Sequence, residues 1–376
     1  MTQLLSDAEV IDRIFDHIDG NSTDLGDDIW REPAENYRSA ERFAAEVDLL
    51  RRLPVAFCPS AALPENGSYV ARTAAGRPIL AVRGEDGEVR AFINACRHRG
   101  MAVAAEGSGC AQAFTCPYHS WTYGLDGRLT SIAGSVGFPG LDRQAHNLVP
   151  VTTVEERGGL VFVTQDEAVS EGALEDLPDL LSPDLSVFDV REFSDEANWK
   201  LIGETSMEGY HIKALHNETF YPYGFDNLNV VETYGTNSRI VFPFRRVEKL
   251  RHIPREKRRL EGMVTDVYQL FPNTHISFLS SHAMLIILEP VTPTKTRWVI
   301  YSLDTRTDEA PSAKAKQAKR DAEFVKETGL REDRDAACSI QAGLESNANS
   351  HFTFGRYEKA IAHFHATLSG LLAKAG

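Results

Sequence analysis

Two short segments, each with one cysteine and one histidine, constrain the fold of this chain more than any other feature. They are Cys96-Arg97-His98 and, 17 residues later, Cys116-Pro117-Tyr118-His119. The surrounding pattern predicts that both lie on loops at strand ends. If the loops face each other, their thiolates and imidazoles suit zinc, or a [2Fe–2S] cluster with two histidine ligands on one iron. Zinc motifs more often pair cysteine with cysteine, so the cluster is the favoured interpretation.

Composition excludes several classes of protein. The chain has 376 residues and a formal net charge of -14, which disfavours a nucleic-acid binder because phosphate contacts need clustered Lys and Arg. No apolar stretch approaches the ~20 residues that a membrane span needs, and the acidic N-terminus does not predict a signal peptide. Five scattered cysteines predict a cytoplasmic protein, in which Cys58, Cys110 and Cys338 are ordinary small apolar residues outside the two pairs.

The first half of the chain predicts helices followed by a small β-domain. Residues 1–50 have apolar residues at helical spacing, and we expect these helices to pack on a later domain. Residues 51–168 contain short β-rich runs separated by turns. Hairpin signals occur at residues 84–87 and at Asp126-Gly127. We therefore expect residues 51–168 to be the domain that carries the two Cys/His pairs.

The second half, residues 169–376, predicts a different domain. Residues 198–216 have a helical pattern, and five alternating apolar runs follow, from SRIVFPF to RWVIYSL. Helical patterns return from Ala313 to the C-terminus. The chain as a whole is thus predicted to be α+β, and this domain to be an antiparallel sheet covered by helices, an arrangement of the helix-grip type.

A second possible metal site lies in the helical segment, where His211 and His216 follow Glu208. Two histidines and one carboxylate on one face of a metal are what an O2-activating ferrous site needs. In a regular helix, positions i and i+5 point about 140° apart. Both histidines would therefore reach one metal only if the helix bulges or ends between them. Taken alone, the pair also fits two unrelated surface or core histidines.

Together these segments resemble the Rieske non-haem iron oxygenases, a family that includes ring-hydroxylating enzymes. NACRHRG and CPYHSW are similar to the Rieske cluster segments, and NWK followed by E-x-Y-H-x4-H is similar to the iron-binding stretch. A later ED pair, a QxGLxS stretch and a terminal ExxIxHFH segment also fit the family pattern. The resemblance covers nearly the whole chain.

The resemblance implies two metal cofactors. Cys96 and Cys116 would hold one iron of a [2Fe–2S] cluster, and His98 and His119 the other. His211 and His216 would bind a mononuclear Fe(II). Glu208 would be the carboxylate that is hydrogen-bonded towards a Rieske histidine of a neighbouring subunit. Many relatives have Asp at the position of Glu208, and a subset with Glu includes members that act on quaternary ammonium compounds.

A third iron ligand is implied, a carboxylate between residues 331 and 344. If that segment is a helix, Asp333 shares an apolar stripe with Ala337, Ile340 and Leu344, whereas Asp335 lies on a more polar face. A carboxylate on a buried stripe is costly unless it is paired or bound to metal. Asp333 is therefore the predicted ligand, and the family pattern agrees. His363 and His365 are assigned to a packed C-terminal helix.

The resemblance also implies an activity and partners. We expect an enzyme that uses O2 to mono- or dihydroxylate an aromatic or related small organic substrate. Oxidative N- or O-demethylation and quaternary-ammonium monooxygenation are alternatives. Electrons would come from NAD(P)H through a separate reductase, with or without a ferredoxin, and the expected assembly is a head-to-tail homotrimer.

Two other classes of protein remain as rivals. A non-catalytic Rieske electron carrier would not need the second metal set. A regulatory metal-binding protein would differ in iron content, because an oxygenase holds about three iron atoms per chain. Several aromatic residues are candidates for lining a substrate pocket, although core packing is the more ordinary role of each: Phe220, Tyr221, Tyr223, Phe225 and Phe278.

Overall fold

The computed structural model describes residues 4–169, 172–280, 282–305 and 329–375. Two compact units result: residues 1–46 join residues 187–376 in one unit, and residues 47–186 form the other. Within the described residues, no helix combines the length and the apolar character that crossing a membrane requires.

The N-terminal residues form two helices and one short strand: α1 (Asp7–Gly20), β1 (Trp30–Pro33) and α2 (Ala40–Arg51). The apolar stripe of α1 is fully buried at Val10, Ile11 and Ile14, as its spacing predicts. The strand was not predicted. It pairs with a strand more than 300 residues away, near the C-terminus, so no local sequence signal indicates it.

Residues 47–186 form three small antiparallel sheets, with strand orders β10-β11-β2, β5-β4-β3-β6 and β7-β8-β9. Both predicted hairpins are present, since β4 pairs with β5 and β8 pairs with β9. The strands are β2 (Val55–Pro59), β3 (Ser68–Ala74), β4 (Arg77–Arg83), β5 (Val89–Ile93), β6 (Gly107–Cys110), β7 (Phe114–Thr115), β8 (Thr122–Tyr123), β9 (Leu129–Ser131), β10 (Thr153–Arg157) and β11 (Leu160–Thr164).

The other unit contains a seven-stranded sheet with the order β12-β18-β17-β16-β15-β14-β13. All five predicted runs are strands of this sheet, and two further strands, β12 and β13, complete its edges. The strands of this unit are β12 (Leu185–Asp195), β13 (Val230–Tyr234), β14 (Asn237–Pro243), β15 (Val264–Leu270), β16 (Thr274–Phe278), β17 (Ala283–Thr292), β18 (Lys295–Thr305) and β19 (His351–Phe354), the last paired with β1.

Within the described residues, further helices accompany this sheet: α3 (Trp199–Glu204), α4 (Ile212–Leu215), α5 (Gly329–Leu344) and α6 (Lys359–Ala375). α3 packs against β17 and α5, and α6 packs against β13 and β14. The α+β prediction is therefore confirmed. The prediction of one continuous helix over residues 198–216 is wrong, because the chain leaves the helical conformation between α3 and α4. Part of the helical pattern predicted from Ala313 lies outside the described residues.

A buried ion pair fixes the start of α3. Asn198 caps the helix by accepting a hydrogen bond from the amide of Lys200 at 3.0 Å. The ammonium of Lys200 lies 2.7 Å from the carboxylate of Glu46 on α2, and both side chains are fully buried. The indole N–H of Trp199 donates to the same carboxylate at 3.0 Å. Glu46 also accepts from Arg42 at 2.9 Å, whereas removal of Glu46 would leave the buried ammonium of Lys200 without its carboxylate. The pair therefore holds the segment that leads into the histidine pair.

Candidate metal centres

The two Cys/His pairs lie on matching tight loops of the unit formed by residues 47–186. In the first loop, the amide of Gly100 donates to the carbonyl of Cys96 at 2.7 Å. In the second, the amide of Ser120 donates to the carbonyl of Cys116 at 2.9 Å. Gly100 and Ser120 both have positive φ angles, 80° and 56°. Each loop therefore reverses within four residues of its cysteine, and the predicted histidine ligand lies inside that turn.

Two of the four predicted cluster ligands, His98 and His119, come together. Cys96 and Cys116 are buried free thiols. The Nδ1 atoms of His98 and His119 lie 3.2 Å apart. Two nitrogens that each lie about 2.0–2.1 Å from one tetrahedral metal would be about 3.3 Å apart. The donor set and this separation fit an iron held by both imidazoles, with the two thiols available to a second iron.

Aromatic side chains enclose this site. The ring of Trp121 stacks on His98 with centroids 5.1 Å apart. The hydroxyl of Tyr123 accepts a hydrogen bond from the amide of Arg97 and lies 3.4 Å from the sulfur of Cys96. Desolvation raises the pKa of Tyr123, so the phenol keeps its proton and can donate it towards that sulfur. Such contacts orient and tune metal ligands.

Arg99 contacts the outer edge of the same site. Its guanidinium lies 3.1 Å from Nε2 of His119. Desolvation, together with the charge of Arg99, lowers the pKa of His119. A neutral imidazole is the form that binds a metal. The protein environment thus favours the ligating state of His119.

The second set of predicted ligands also converges. His211, His216 and Asp333 each offer one ligand atom, and these three atoms all lie within 4.8 Å of one another. One carboxylate oxygen of Asp333 lies 3.1 Å from Nε2 of His216 and 3.5 Å from Nε2 of His211. Two imidazoles and one carboxylate are the facial donor set of non-haem ferrous oxygenases. The residues present therefore fit a mononuclear iron.

A break in the helix brings the two histidines together. α3 ends at Glu204, and the chain turns through Thr205–Tyr210 before α4 begins. His211 is the residue directly before the four-residue helix α4, and His216 directly follows it. With one helical turn between them, their rings meet with centroids 5.1 Å apart. The predicted bulge or helix end between the histidines is therefore not present. Instead, α4 lies between them, and each histidine flanks this short helix at one end.

Each histidine has a carboxylate behind it. Glu208 contacts Nδ1 of His211 and accepts hydrogen bonds from the amides of Tyr210 and His211. Glu208 is not helical, although the pattern over residues 198–216 predicts a helix there, because it lies in the turn before α4. Glu332 lies 2.6 Å from Nδ1 of His216 and accepts a hydrogen bond from the hydroxyl of Thr219 at 2.8 Å. Glu332 was not predicted to have this role.

These carboxylates fix the tautomer of both imidazoles. An Nδ1–H that donates to a carboxylate leaves the lone pair on Nε2, which faces Asp333. Burial lowers the pKa of His211, but its hydrogen bond to Glu208 and the nearby acidic charges outweigh this effect, so the pKa is raised. Burial also lowers the pKa of His216, but the hydrogen bond and the charge of Asp333 outweigh this effect, so the pKa of His216 is raised. The site therefore favours a cation between its three acceptor atoms.

Asp333 and Asp335 lie on opposite sides of α5. The side chain of Asp335 is 76% exposed and has a long ion pair with Arg331, whereas Asp333 is largely buried beside the histidines. The proposed apolar stripe is correct for Ala337 and Leu344. It is wrong for Ile340, which is 45% exposed because Gln341 takes the next buried position.

A cavity of about 730 Å3 opens from the histidine pair. Its floor is the face of the sheet, where Ser277 on β16 lies between Val267 on β15 and Met284 on β17. Six aromatic side chains line it: Phe220, Tyr223, Phe225, Phe242, Phe244 and Trp298. Three of these were among the aromatic candidates from the sequence, whereas Tyr221 and Phe278 do not line the cavity. A small apolar molecule can therefore lie beside the candidate iron ligands.

His365 lies elsewhere. It is completely buried on α6, where its Nε2 is 2.8 Å from Glu204 and 3.1 Å from the hydroxyl of Tyr37. It is not part of the cluster formed by His211, His216 and Asp333.

Two family models match the chain. The Rieske [2Fe-2S] domain matches residues 54–140, and the catalytic domain of the ring hydroxylating alpha subunit matches residues 186–374. The chain therefore belongs to the Rieske non-haem iron oxygenases, the family of ring-hydroxylating oxygenase alpha subunits. The family resemblance of the sequence is confirmed, and with it the two cofactors that the family implies, a [2Fe–2S] cluster and a mononuclear iron.

Several relatives have named substrates. The chain is 37% identical over 163 residues to the oxygenase subunit of glycine betaine monooxygenase from Chromohalobacter salexigens, covering 42% of this chain and 36% of that protein. It is 31% identical over 196 residues to the carnitine monooxygenase oxygenase subunit from Acinetobacter pittii, covering 50% and 53%. Chloroplastic choline monooxygenase from Spinacia oleracea is 28% identical over 328 residues, covering 82% and 71%. The chain thus aligns with only about a third to a half of the length of the first two of these relatives.

Solved structures share the whole fold. The quaternary ammonium Rieske monooxygenase CntA in complex with L-carnitine has a TM-score of 0.77 at 22% identity, covering 98% of this chain and 99% of that chain. Naphthalene 1,2-dioxygenase from Rhodococcus sp. has a TM-score of 0.75 at 19% identity, covering 97% and 98%. Enzymes with different substrates share this fold, so the fold does not identify the substrate.

Proposed function

We propose that this protein is the oxygenase component of a Rieske-type enzyme that uses O2 to oxidise a small organic substrate. One observation carries the proposal: the His211, His216 and Asp333 set opens onto the 730 Å3 cavity. A pure electron carrier has no need of a ferrous donor set beside a substrate-sized cavity.

The side chains have distinct roles in this proposal. When bound, the cluster would supply electrons and the mononuclear iron would supply the chemistry that activates O2. The chain's own side chains orient the ligands, hold the substrate and exclude water. The residues that would hold the two groups are Cys96, His98, Cys116 and His119 for the cluster, and His211, His216 and Asp333 for the mononuclear iron.

Glu208 is the positioning residue between the two centres in our proposal. Its carboxylate already contacts Nδ1 of His211, and as a buried anion held by two amides it stays in place. A hydrogen bond from a Rieske histidine of a neighbouring subunit to the same carboxylate would connect the cluster with the iron. This connection requires the head-to-tail trimer, whose mass would be three times 41.7 kDa. A separate reductase, with or without a ferredoxin, would deliver electrons from NAD(P)H.

The substrate class follows from the relatives and the cavity. Relatives that act on glycine betaine, carnitine and choline favour quaternary-ammonium monooxygenation over ring hydroxylation. Aromatic rings such as Phe220, Tyr223 and Trp298 can stabilise a cation through their faces. The same rings can also stack on an aromatic substrate, so ring hydroxylation is the second candidate.

Isotope labelling tests the proposal. The holoenzyme, a surrogate reductase and NADH are incubated under 18O2 with glycine betaine, carnitine, choline, anthranilate and naphthalene, and products are measured by mass spectrometry. We expect 18O in the product of at least one compound, with one or two labelled atoms distinguishing mono- from dioxygenation. A His211→Ala variant should keep the cluster absorption and lose product.

The rivals predict different results. An electron carrier would accept electrons from the reductase but release no labelled product from any compound. A regulatory metal protein would hold fewer than about three iron atoms per chain. Product that is formed equally by the His211→Ala variant would also contradict the assigned iron site.

A further inference from the structure

Two arginines border the opening of the cavity. Arg245 and Arg246 line it and are exposed to solvent. The guanidinium of Arg246 lies 4.6 Å from the ring centre of Phe244 and donates to the hydroxyl of Ser280 at 2.7 Å. The guanidinium of Arg245 lies 5.3 Å from the ring centre of Phe225. Both side chains are thus held against aromatic faces of the cavity wall.

These two arginines differ from three others of the same basic run, residues 245–259, which form ion pairs. Arg259 of that run donates to the backbone carbonyls of Glu256 and Arg258 and does not line the cavity. Arg251 pairs with Asp19 at 2.7 Å, and Arg255 and Arg258 both pair with Asp12. Arg245 and Arg246 form no ion pair with any residue in the described part of the chain. In a chain with a net charge of -14, two cations without a carboxylate partner can accept an anion from outside.

The acidic side chains of the cavity do not compete for them. Glu208 and Asp333 are the only carboxylates among the described lining residues. Glu208 contacts His211, and Asp333 contacts both histidines of the candidate iron site, His211 and His216. Both lining carboxylates are therefore engaged by the candidate iron-binding histidines, and no lining carboxylate pairs with Arg245 or Arg246.

We propose that Arg245 and Arg246 bind an anionic group of the substrate, and that the enzyme therefore takes small organic carboxylates. This inference rests on the proposed function of the cavity. A guanidinium offers a planar pair of N–H donors that matches a carboxylate. The carboxylate stays partly hydrated at the opening, which limits its desolvation cost. The remainder of the substrate lies on the apolar floor, and the group to be oxidised reaches the His211, His216 and Asp333 set.

Matched ligand pairs test the inference. Binding to the intact holoenzyme is measured anaerobically by calorimetry for glycine betaine against choline, benzoate against benzamide, and anthranilate against aniline. Each pair differs in the presence of a carboxylate. The proteins compared are wild type, Arg245→Gln, Arg246→Gln and the double variant. Arg255→Gln is the control, because Arg255 belongs to the same basic run but pairs with Asp12 and does not line the cavity.

We expect at least one carboxylate to bind wild type about tenfold more tightly than its partner without a carboxylate, the size of one charge-assisted hydrogen-bond pair. The Gln variants should lose this preference and retain their affinity for the partner, whereas Arg255→Gln should behave like wild type. Absence of carboxylate binding, or a preference that survives in the double variant, would overturn the inference.

Turnover separates this inference from the proposed function. If labelled product forms from compounds without a carboxylate and the arginine variants leave it unchanged, the oxygenase function stands and carboxylate recognition is wrong. If carboxylates bind through the arginines but none is oxidised, recognition stands and the proposed oxygenase function fails. Both readouts come from the same preparations, since binding is measured without O2.

Discussion

The carboxylate of Glu332 lies 2.6 Å from Nδ1 of His216. This contact orients the imidazole so that its other nitrogen faces Asp333, the next residue in the chain. One turn of α5 thereby contributes both a candidate ligand and the group that positions another ligand. Thr219 donates to the same carboxylate and holds it in place.

Removal of Glu332 should therefore weaken the iron site. We expect Glu332→Ala to lower the affinity for mononuclear iron about 10–100-fold, the usual effect of losing the hydrogen-bond partner of a ligating histidine. The cluster absorption should not change. Anaerobic Fe(II) titration of protein stripped of mononuclear iron measures the affinity. Glu218→Ala is the control, because Glu218 is exposed; equal iron affinity in both variants would contradict the role of Glu332.

Asp333 and Asp335 provide a second comparison on the same helix. Asp333→Asn should lose mononuclear iron and turnover, because the carboxylate charge that balances the metal is removed. Asp335→Asn should lose neither, since its side chain is 76% exposed. Iron per chain and product yield are measured for both. If the Asp335 variant loses the iron instead, the assignment of the third ligand is wrong.

Local patterns predict the strands and metal motifs but not the contacts between distant segments. Strands such as β14 and β17 contain short apolar runs, and such runs are visible within a few residues. β1 is not predictable in this way, because its partner β19 is more than 300 residues away. Glu332 belongs to the ED pair of the sequence, yet its contact with His216 arises only when α5 packs near α4. The break in the helix before His211 likewise depends on tertiary contacts, such as those of Glu208 with two amides.

The Rieske site gives a spectroscopic prediction. His98→Ala should remove the visible absorption of the [2Fe–2S] cluster, because one iron loses a ligand whose Nδ1 lies 3.2 Å from that of His119. The catalytic domain should stay folded, as checked by circular dichroism. Cys110→Ser is the control, since Cys110 is exposed and outside both loops. Retained absorption in His98→Ala would refute the cluster assignment.

Glu208 gives a kinetic prediction. Glu208→Gln keeps the shape of the side chain and an oxygen that can accept from Nδ1 of His211, but it removes the charge. We expect both metal centres and the trimer to persist, while product formation falls at least about tenfold, as for other groups that position metal ligands. Pre-reduced enzyme in a single turnover measures cluster reoxidation and product together. Normal reoxidation with normal yield would show that the charge of Glu208 is not needed.

His275 on β16 has one assignable tautomer. The hydroxyl of Ser206 donates its single proton to the carbonyl of Gly203 at 3.0 Å. It therefore accepts from Nδ1 of His275, which lies 2.9 Å away. His275 is 3% exposed, and burial lowers its pKa to about 4. The imidazole is thus neutral in the folded protein and lines the cavity as an uncharged group.

This neutral histidine makes stability depend on pH. In the unfolded chain, His275 binds a proton below its pKa of about 6.5, whereas in the folded protein it does so only below about pH 4. The stability that is present above pH 6.5 is therefore lost as the pH falls from 6.5 to 4. His275→Asn keeps a donor towards Ser206 but does not titrate. Between pH 7 and pH 5, wild type should lose about 2 kcal/mol more unfolding free energy than the variant. Urea denaturation of both proteins at the two pH values measures this difference. The metal-binding histidines are present in both proteins, so their contribution to the pH dependence cancels in the comparison. If both proteins lose the same unfolding free energy, His275 is not held neutral by burial.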